Sequence, residues 1–517
     1  MLSEHGNQNP NENEESYIIL AMIEHGKNGD TYMSYLDLYE LCLRKNKSLS
    51  PEAFSADLDV LLADGRVVEE EGRLYLANIF QHEETASHLL AHILTKNNNM
   101  LPALFPPRMM PETEALCEEQ KSAVSLALRH RLSLILGGAG SGKSTLVSAI
   151  CRCSQLRNQE IVLCAPTGKA ARIMAQKTGR ETRTIHSALG IFKNDDFLKS
   201  VSWPTIRLVI VDECSLMTLP MFSAILSRLS DSCHVVLVGD CNQLPGVGEG
   251  NVIADLLAMG VPHIMLTENH RQDCSACALA YNAMHFANLR RINSLKMDSS
   301  FFMIDLDEKA AQDRIVMEAV RRIKQGESVQ VLTPLSARAN HLLSAKSLNL
   351  RIRDAVNPLN KRKKCLMYKG TLYISGDKVM ITQNDRDKDV CNGDIGILHI
   401  LNDEKDHEEY CVELPDGRIP HWSGIDVFPA LAKLMLAYAL TVHKAQGSEW
   451  DSIIIALSMG MLSMLHRNLF YTAITRARRQ VMIIGNSLAV DVAMQRNAPK
   501  RKSMLVPKTK LCLVGIA

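Results

Sequence analysis

Four continuous apolar runs each stop at a loop of glycine or polar residues: LSLILGG at 132–138, EIVLCAPT at 160–167, RLVIVDE at 207–213 and HVVLVGD at 234–240. An alternating pattern would mark a strand with one face in water. A continuous one marks a strand covered on both faces, as in a parallel sheet flanked by helices. Such a sheet gathers its working loops at the carboxyl ends of its strands. SVQVLTP at 328–334, SIIIAL at 452–457 and QVMIIG at 480–485 form a second set. The fold class is therefore α/β, with two parallel-sheet domains in tandem.

The remaining segments differ in character. Residues 1–13 are Asn/Glu-rich and are expected to be disordered. Residues 14–80 carry amphipathic stretches at 16–25 and 34–45, then a helix that Ser50 can cap, with Pro51 at its first position and Gly65 as its stop. RVVEEEGRLYL at 66–76 reads as two strands turning at Glu71–Gly72. Three helices and a hairpin suggest a winged-helix module, placed at 14–100. The first sheet domain is assigned to 112–290, and the second to 291–350 with 429–495. Between them, 351–428 is an insert whose 365–428 portion has short alternating strands and turn signals at Asn392–Gly393 and Asp416–Gly417. That pattern suggests a small antiparallel β-barrel. Residues 496–517 read as a basic tail.

Composition adds limits. The net charge of +1 announces no strongly basic protein, but a strand-binding channel needs only local positive potential. Residues 351–364 supply a local excess, with Arg351, Arg353, Lys361, Arg362, Lys363 and Lys364 against Asp354. It reads equally as a solvated loop. Fourteen scattered cysteines and a polar opening without a secretory pattern point to reduced thiols and a cytoplasmic location. Cys274 and Cys277 lack a second pair at metal-binding spacing. The run 453–465, about 13 residues long, is too short to span a bilayer, so no membrane association is expected.

The loops carry the chemistry. In GGAGSGKST, Gly137, Gly138, Ala139, Gly140, Ser141 and Gly142 let backbone amides close around phosphates. Lys143 can reach the β and γ phosphates, the Ser144 hydroxyl can ligate Mg²⁺, and Thr145 continues into a helix whose positive end faces the same oxygens. Asp212 and Glu213 follow 68 and 69 residues after Ser144. The first suits the metal shell, partly through water, and the second suits orienting or deprotonating an attacking water. Gln243 can sense the γ-phosphate. Arg271 and Arg476, one from each sheet domain, can stabilise charge on a transferring phosphoryl group. Gln120, ahead of the phosphate loop, is placed to read an adenine edge. Thr167, His186, Thr441, His443 and Gln446 suit contacts to a strand's phosphates and sugars.

Taken in order, GGAGSGKST, APTGKAA, TIHSALG, LVIVDECSLM, VGDCNQLPGVGEGNV, LTENHRQ, GDKVM…NGDIGIL, AYALTVHKAQGSEW and LFYTAITRA resemble the RecD-like DNA helicases over about 112–490. These are superfamily-one motors of the branch moving 5′ to 3′, related to the alpha subunit of exodeoxyribonuclease V. The resemblance implies two RecA-like P-loop motor domains, a strand-bracing β-barrel and a winged-helix module ahead of the motor. It implies ATP and Mg²⁺ as cofactors, single-stranded DNA as track and duplex DNA as substrate, in repair or recombination. A monomeric motor is expected, with room for a recombination-complex protein as partner. Ala139 stands where the family often has proline, and Gly246 where serine is usual. The segment 191–205, with Phe192, Phe197 and Trp203, is short for a strand-splitting hairpin. Competing readings are an RNA helicase, or a nucleic-acid-stimulated ATPase subunit or DNA-binding scaffold with little unwinding of its own.

Overall fold

The computed structural model describes residues 16–98, 115–154, 156–191, 203–268, 277–286, 289–337, 341–405 and 407–516. The stretch 1–13 lies outside them, as do Arg271, Cys274, Phe192 and Phe197.

Both expected sheets form, and both are parallel. The first has six strands in the order Arg183–Thr184, Ile161–Ala165, Leu208–Val211, His234–Gly239, Leu132–Gly137 and His263–Leu266. The strands Leu132–Gly137, Leu208–Val211 and His234–Gly239 are buried at every position, as continuous apolar runs require. The second has five strands in the order Phe301–Asp305, Ala477–Gly485, Trp450–Leu457, Val329–Thr333 and Ala439–Thr441. The apolar run 453–465 is therefore the buried strand Trp450–Leu457 and the turn after it. Among the described residues, no helix is long and apolar enough to cross a membrane.

The segment between the two halves of the second domain holds a five-stranded antiparallel sheet, ordered His421–Ser423, Glu409–Glu413, Ile395–Asn402, Lys378–Ile381 and Leu434–Leu436. A hairpin of Cys365–Tyr368 and Thr371–Ile374 precedes it. Gly393 and Gly417 take left-handed φ values of +94° and +86°, which places the two turn signals at real reversals of the chain. Tyr373, Val379, Leu398, Tyr410 and Trp422 share one apolar core with the second sheet, so the insert is packed onto that domain.

At the start of the described chain, helices Tyr17–Gly26, Tyr35–Lys45 and Pro51–Ala63 begin behind Ser16, Ser34 and Ser50. Each serine hydroxyl accepts from a backbone amide of the first turn, a cap contributing about 1 kcal/mol. Strands Val67–Glu70 and Arg73–Leu76 turn at Glu71 and Gly72, both left-handed, and Met33–Ser34 adds a third strand.

Four boundaries differ from the sequence reading, one of them at Leu434–Leu436, which lies in the 429–495 assignment but is the edge strand of the insert's sheet, paired with Lys378–Ile381. The helix Ala77–Asn98 was grouped with the leading module, yet Ala86, Leu90 and Ile93 pack into the core of the first sheet. Residues 496–517 are no simple tail. Their helix Leu505–Ile516 lies along Ala77–Asn98, and Leu505 enters the same core. The helix Ala278–His285 falls inside the 112–290 assignment, but Leu279 and Phe286 belong to the core of the second domain. In each case the deciding contacts join residues far apart in sequence.

Candidate functional site

The strand Leu132–Gly137 delivers its chain into a loop that turns at Gly140 and Gly142, with φ of +86° and +77°. A Cβ on Gly137 would lie 2.6 Å from Ser141 Oγ, so this tight approach needs glycine. Lys143 opens the helix Lys143–Cys153, and its Nζ donates to the carbonyls of Gly137 and Gly138 at 2.7 and 2.8 Å. The ammonium is thus folded over the loop it is expected to serve. Lys177 Nζ donates to Ser144 Oγ at 3.2 Å. Ala139 is half-buried and Thr145 exposed.

Asp212 and Glu213 follow the buried strand Leu208–Val211 on the same sheet edge. Asp212 Oδ1 accepts the Glu213 backbone amide at 2.9 Å, and Glu213 takes a left-handed φ of +52°. A non-glycine residue there is strained, and such strain gathers at functional sites. Burial pushes both carboxyls up in pKa, with the Asp212 charge raising Glu213 further; Lys143 opposes the shift at both. Two adjacent buried carboxyls are suited to a cation, whose charge would offset their burial and mutual repulsion.

The loop after His234–Gly239 ties the two domains together. Asp240 Oδ2 accepts the Tyr471 hydroxyl at 2.9 Å and the Gln243 amide at 3.4 Å. Leu244 N donates to Thr472 Oγ1 at 2.8 Å, and Leu244 O accepts from Gln446 Nε2 at 2.8 Å. Asn468 Nδ2 donates to the carbonyls of Asn242 and Gln243. Tyr471 also approaches the phosphate loop: a Cβ on Gly138 would lie 3.0 Å from its hydroxyl. Arg476 is buried, donates to Thr472 O, Ser448 O and Thr475 Oγ1, and its charge opposes the burial-driven rise in the Glu213 pKa. The structure thus brings Lys143, Asp212, Glu213 and Arg476 close enough to feel one another's charge, with Gln243 joined to them through Asp240.

The other expected residues are placed differently. Gln120 sits in the first turn of Glu118–Arg129, and its Oε1 accepts from Cys117 N at 3.3 Å, capping its own helix. Thr167 caps the helix Gly168–Thr178 through Ala170 N, and a Cβ on Gly447 would lie 3.7 Å from its hydroxyl. Thr441 ends its strand and accepts from Lys444 N. His443 and His186 are half-buried, and burial lowers the pKa of both. Gln446 spends its amide on Leu244. Trp203 packs against the first-domain core. The local basic excess is largely committed, with Arg351 on Asp313, Arg353 on Leu372 O, Lys363 on Asn357 and Lys364 on Leu401 O. No group of three or more possible metal ligands occurs among the described residues.

Sequence reasoning missed Asp240, Asn468, Tyr471 and Thr472, although Asp240, Tyr471 and Thr472 lie inside motifs it quoted and Asn468 directly precedes one. It also missed Lys169, whose Nζ donates to Ser448 Oγ at 2.7 Å across the domains. Beside it, Arg172 meets Asp394, Asp389 and Asp416 of the insert. A Cβ on Gly246 would lie 2.3 Å from Leu216 O, so a serine there would force a shift.

Two parallel sheets with a phosphate loop on one and a buried arginine reaching the cleft from the other define a two-domain P-loop motor fold. The chain matches the AAA domain over 115–298, the ATP-dependent RecD-like DNA helicase SH3 domain over 348–413 and the UvrD-like helicase C-terminal domain over 436–484. It is 30% identical over 478 residues to the ATP-dependent RecD2 DNA helicase of Deinococcus radiodurans, covering 88% of this chain and 61% of that protein. It is 25% identical to the RecBCD enzyme subunit RecD of Haemophilus influenzae, covering 77% of this chain and 73% of the relative. The chain is similar to the RecD-like helicases over most of its length and spans about three fifths of the first of these relatives. The solved structure of Bacteroides Pif1 bound to ssDNA aligns with a TM-score of 0.45 at 19% identity, over 71% of this chain and 92% of that one, and adds nothing to the assignment.

Proposed function

We propose that this protein is an ATP-driven motor that moves 5′ to 3′ along single-stranded DNA and separates duplex DNA, in repair or recombination. The observation that carries the reading is the seat of the Asp240–Leu244 loop, which begins beside the phosphate loop and is held by Asn468, Tyr471, Thr472 and Gln446 of the other domain. Hydrolysis that alters this loop shifts one domain against the other, which is how phosphate chemistry becomes movement.

Lys143 leaves the loop carbonyls to hold the β and γ phosphates, and Gln120 would have to release Cys117 to read the base. Glu213 orients or deprotonates the attacking water, and Gln243 contacts the γ-phosphate. Arg476, with Arg271 from the first domain, stabilises the charge that develops there. Ser144 and Asp212 are hard oxygen donors that fit Mg²⁺, directly and through water, and the ion would offset charge on the phosphate oxygens. Thr167, His186, Thr441, His443 and Gln446 line the track. The leading three helices and three strands act as a winged-helix module, and the antiparallel insert as a small β-barrel that braces the strand.

The names of the RecD relatives support a recombination-complex protein as partner, but the motor domains are expected to work as a monomer. The test is unwinding of duplexes with a 5′ or a 3′ single-stranded tail, with ATP hydrolysis followed in the same tubes and Lys143→Ala as control. Unwinding from the 5′ tail alone, lost in Lys143→Ala, is expected. Stimulated hydrolysis without strand separation would replace the helicase reading with a translocase or a partner-dependent subunit. Full unwinding by Lys143→Ala would overturn the motor assignment.

A further inference from the structure

The loop that follows Gln243 continues as Gly246–Gly250, and its carbonyls converge on a residue more than 250 positions away. Arg501 Nη1 donates to Gly248 O at 3.1 Å and Gly250 O at 2.7 Å, and Nη2 donates to Gly246 O at 2.7 Å. The same loop meets the leading module, where Gly250 N donates to Gly29 O at 2.8 Å. Next to Arg501, Lys502 O accepts from Thr31 N at 2.9 Å, and Lys502 N donates to Asp30 Oδ1 at 2.7 Å. Gly29 has φ +104°, and a Cβ on it would lie 2.0 Å from Arg501 Nε. The groups facing the guanidinium are the carboxylates Asp30 and Glu249 and the titratable His443, whose pKa burial lowers first and the Arg501 charge lowers further.

We propose that Arg501 is a positioning residue that fastens the leading module to the loop behind Gln243, so that the module's seat and the ATP cleft respond to one another. The carbonyls of Gly246, Gly248 and Gly250 present three acceptors to one side chain. A planar guanidinium can fork over them at once, whereas a lysine ammonium is a single point charge. The loop's other end is already held by Thr472 and Gln446 through Leu244. Segment 240–250 is thus held by the second domain through Leu244, by its own domain through Gly246 N to Ser215 O and Leu219 N to Glu249 O, and by the leading module through Gly29 and Arg501. Releasing the third lets Gln243 reach the γ-phosphate less often, which lowers turnover without weakening ATP capture.

This inference rests on the motor reading, and the experiment separates the two. The full chain is compared with Arg501→Lys, Arg501→Ala and Gly29→Ala. Gly65→Ala is the control, because Gly65 also has a positive φ, +73°, but nothing within 4 Å of an added Cβ. ATP hydrolysis is measured with saturating single-stranded DNA, and amide exchange is followed over residues 29–31 and 246–250. Arg501→Lys and Gly29→Ala are expected to lower kcat about 2- to 30-fold with KM for ATP nearly unchanged, and to speed exchange in both segments. Arg501→Ala is expected to do at least as much, and Gly65→Ala to do neither. Wild-type kcat and exchange in Arg501→Lys would overturn the proposal, as would equal loss of kcat in Gly65→Ala. A wild-type chain that shows no DNA-stimulated hydrolysis would sink the motor reading, and the fastening would then be judged on exchange alone.

Discussion

Arg476 has its guanidinium among the backbone and hydroxyl oxygens of its own domain, yet its charge is felt at Glu213 on the other. A group so placed can do little for nucleotide capture and much for the charge that forms during transfer. Arg476→Ala is expected to cut DNA-stimulated hydrolysis by about 10³-fold or more while a fluorescent ATP analogue binds within a few-fold of wild type. Binding that falls as far as turnover would refute that role. The motif residues were legible in sequence because phosphate chemistry fixes both their type and their neighbours along the chain. Asp240 and Tyr471 were not, because a hydroxyl meets a carboxylate there only after two domains pack. Gln120 illustrates the opposite case. Its amide suits a base edge, but a backbone amide three residues away is the nearer partner.

The helix Arg467–Ile474 carries Asn468, Tyr471 and Thr472 to the cleft, and it starts behind His466, whose Nδ1 accepts from Leu469 N. Burial lowers the His466 pKa to about 4. A histidine kept neutral in the fold and free to protonate when unfolded leaves stability intact above its ordinary value near 6.5. That stability is lost as pH falls from there toward 4. The wild type should therefore lose on the order of 2 kcal/mol over that window beyond what His466→Asn loses, since asparagine can cap without titrating. Parallel unfolding midpoints for the two proteins between pH 6.5 and 4 would refute this. Elements whose pattern is local were readable, such as the serine-capped helices, the turn at Glu71–Gly72 and the buried strands. The helix Ala77–Asn98 was not, because its inward face carries His82, Glu83 and Ser87 alongside its apolar residues. Leu505–Ile516 was hidden in the same way, since it buries Lys508 and Thr509, and Lys508 pairs with Glu70 and Glu84.

Across the whole molecule, Leu505 is fully buried in the first-domain core although most of its sequence neighbours follow the second. Leu505→Ala should cost about 2–5 kcal/mol at that site, read as a lower first unfolding transition with Lys508 losing its seat. An unchanged transition would mean that the helix merely rests on the surface. Domain boundaries were the least legible feature, since each is decided by which core accepts a helix and not by any break in composition. The return of Leu505 has a consequence for how the chain can be divided. The polypeptide leaves the first lobe before the helix Ala278–His285, builds the entire second lobe and its insert, and comes back at Arg501–Leu505. The second lobe is therefore an insertion within the first, tied to it by two separate passages of the chain, and neither lobe can be cut away at a single peptide bond.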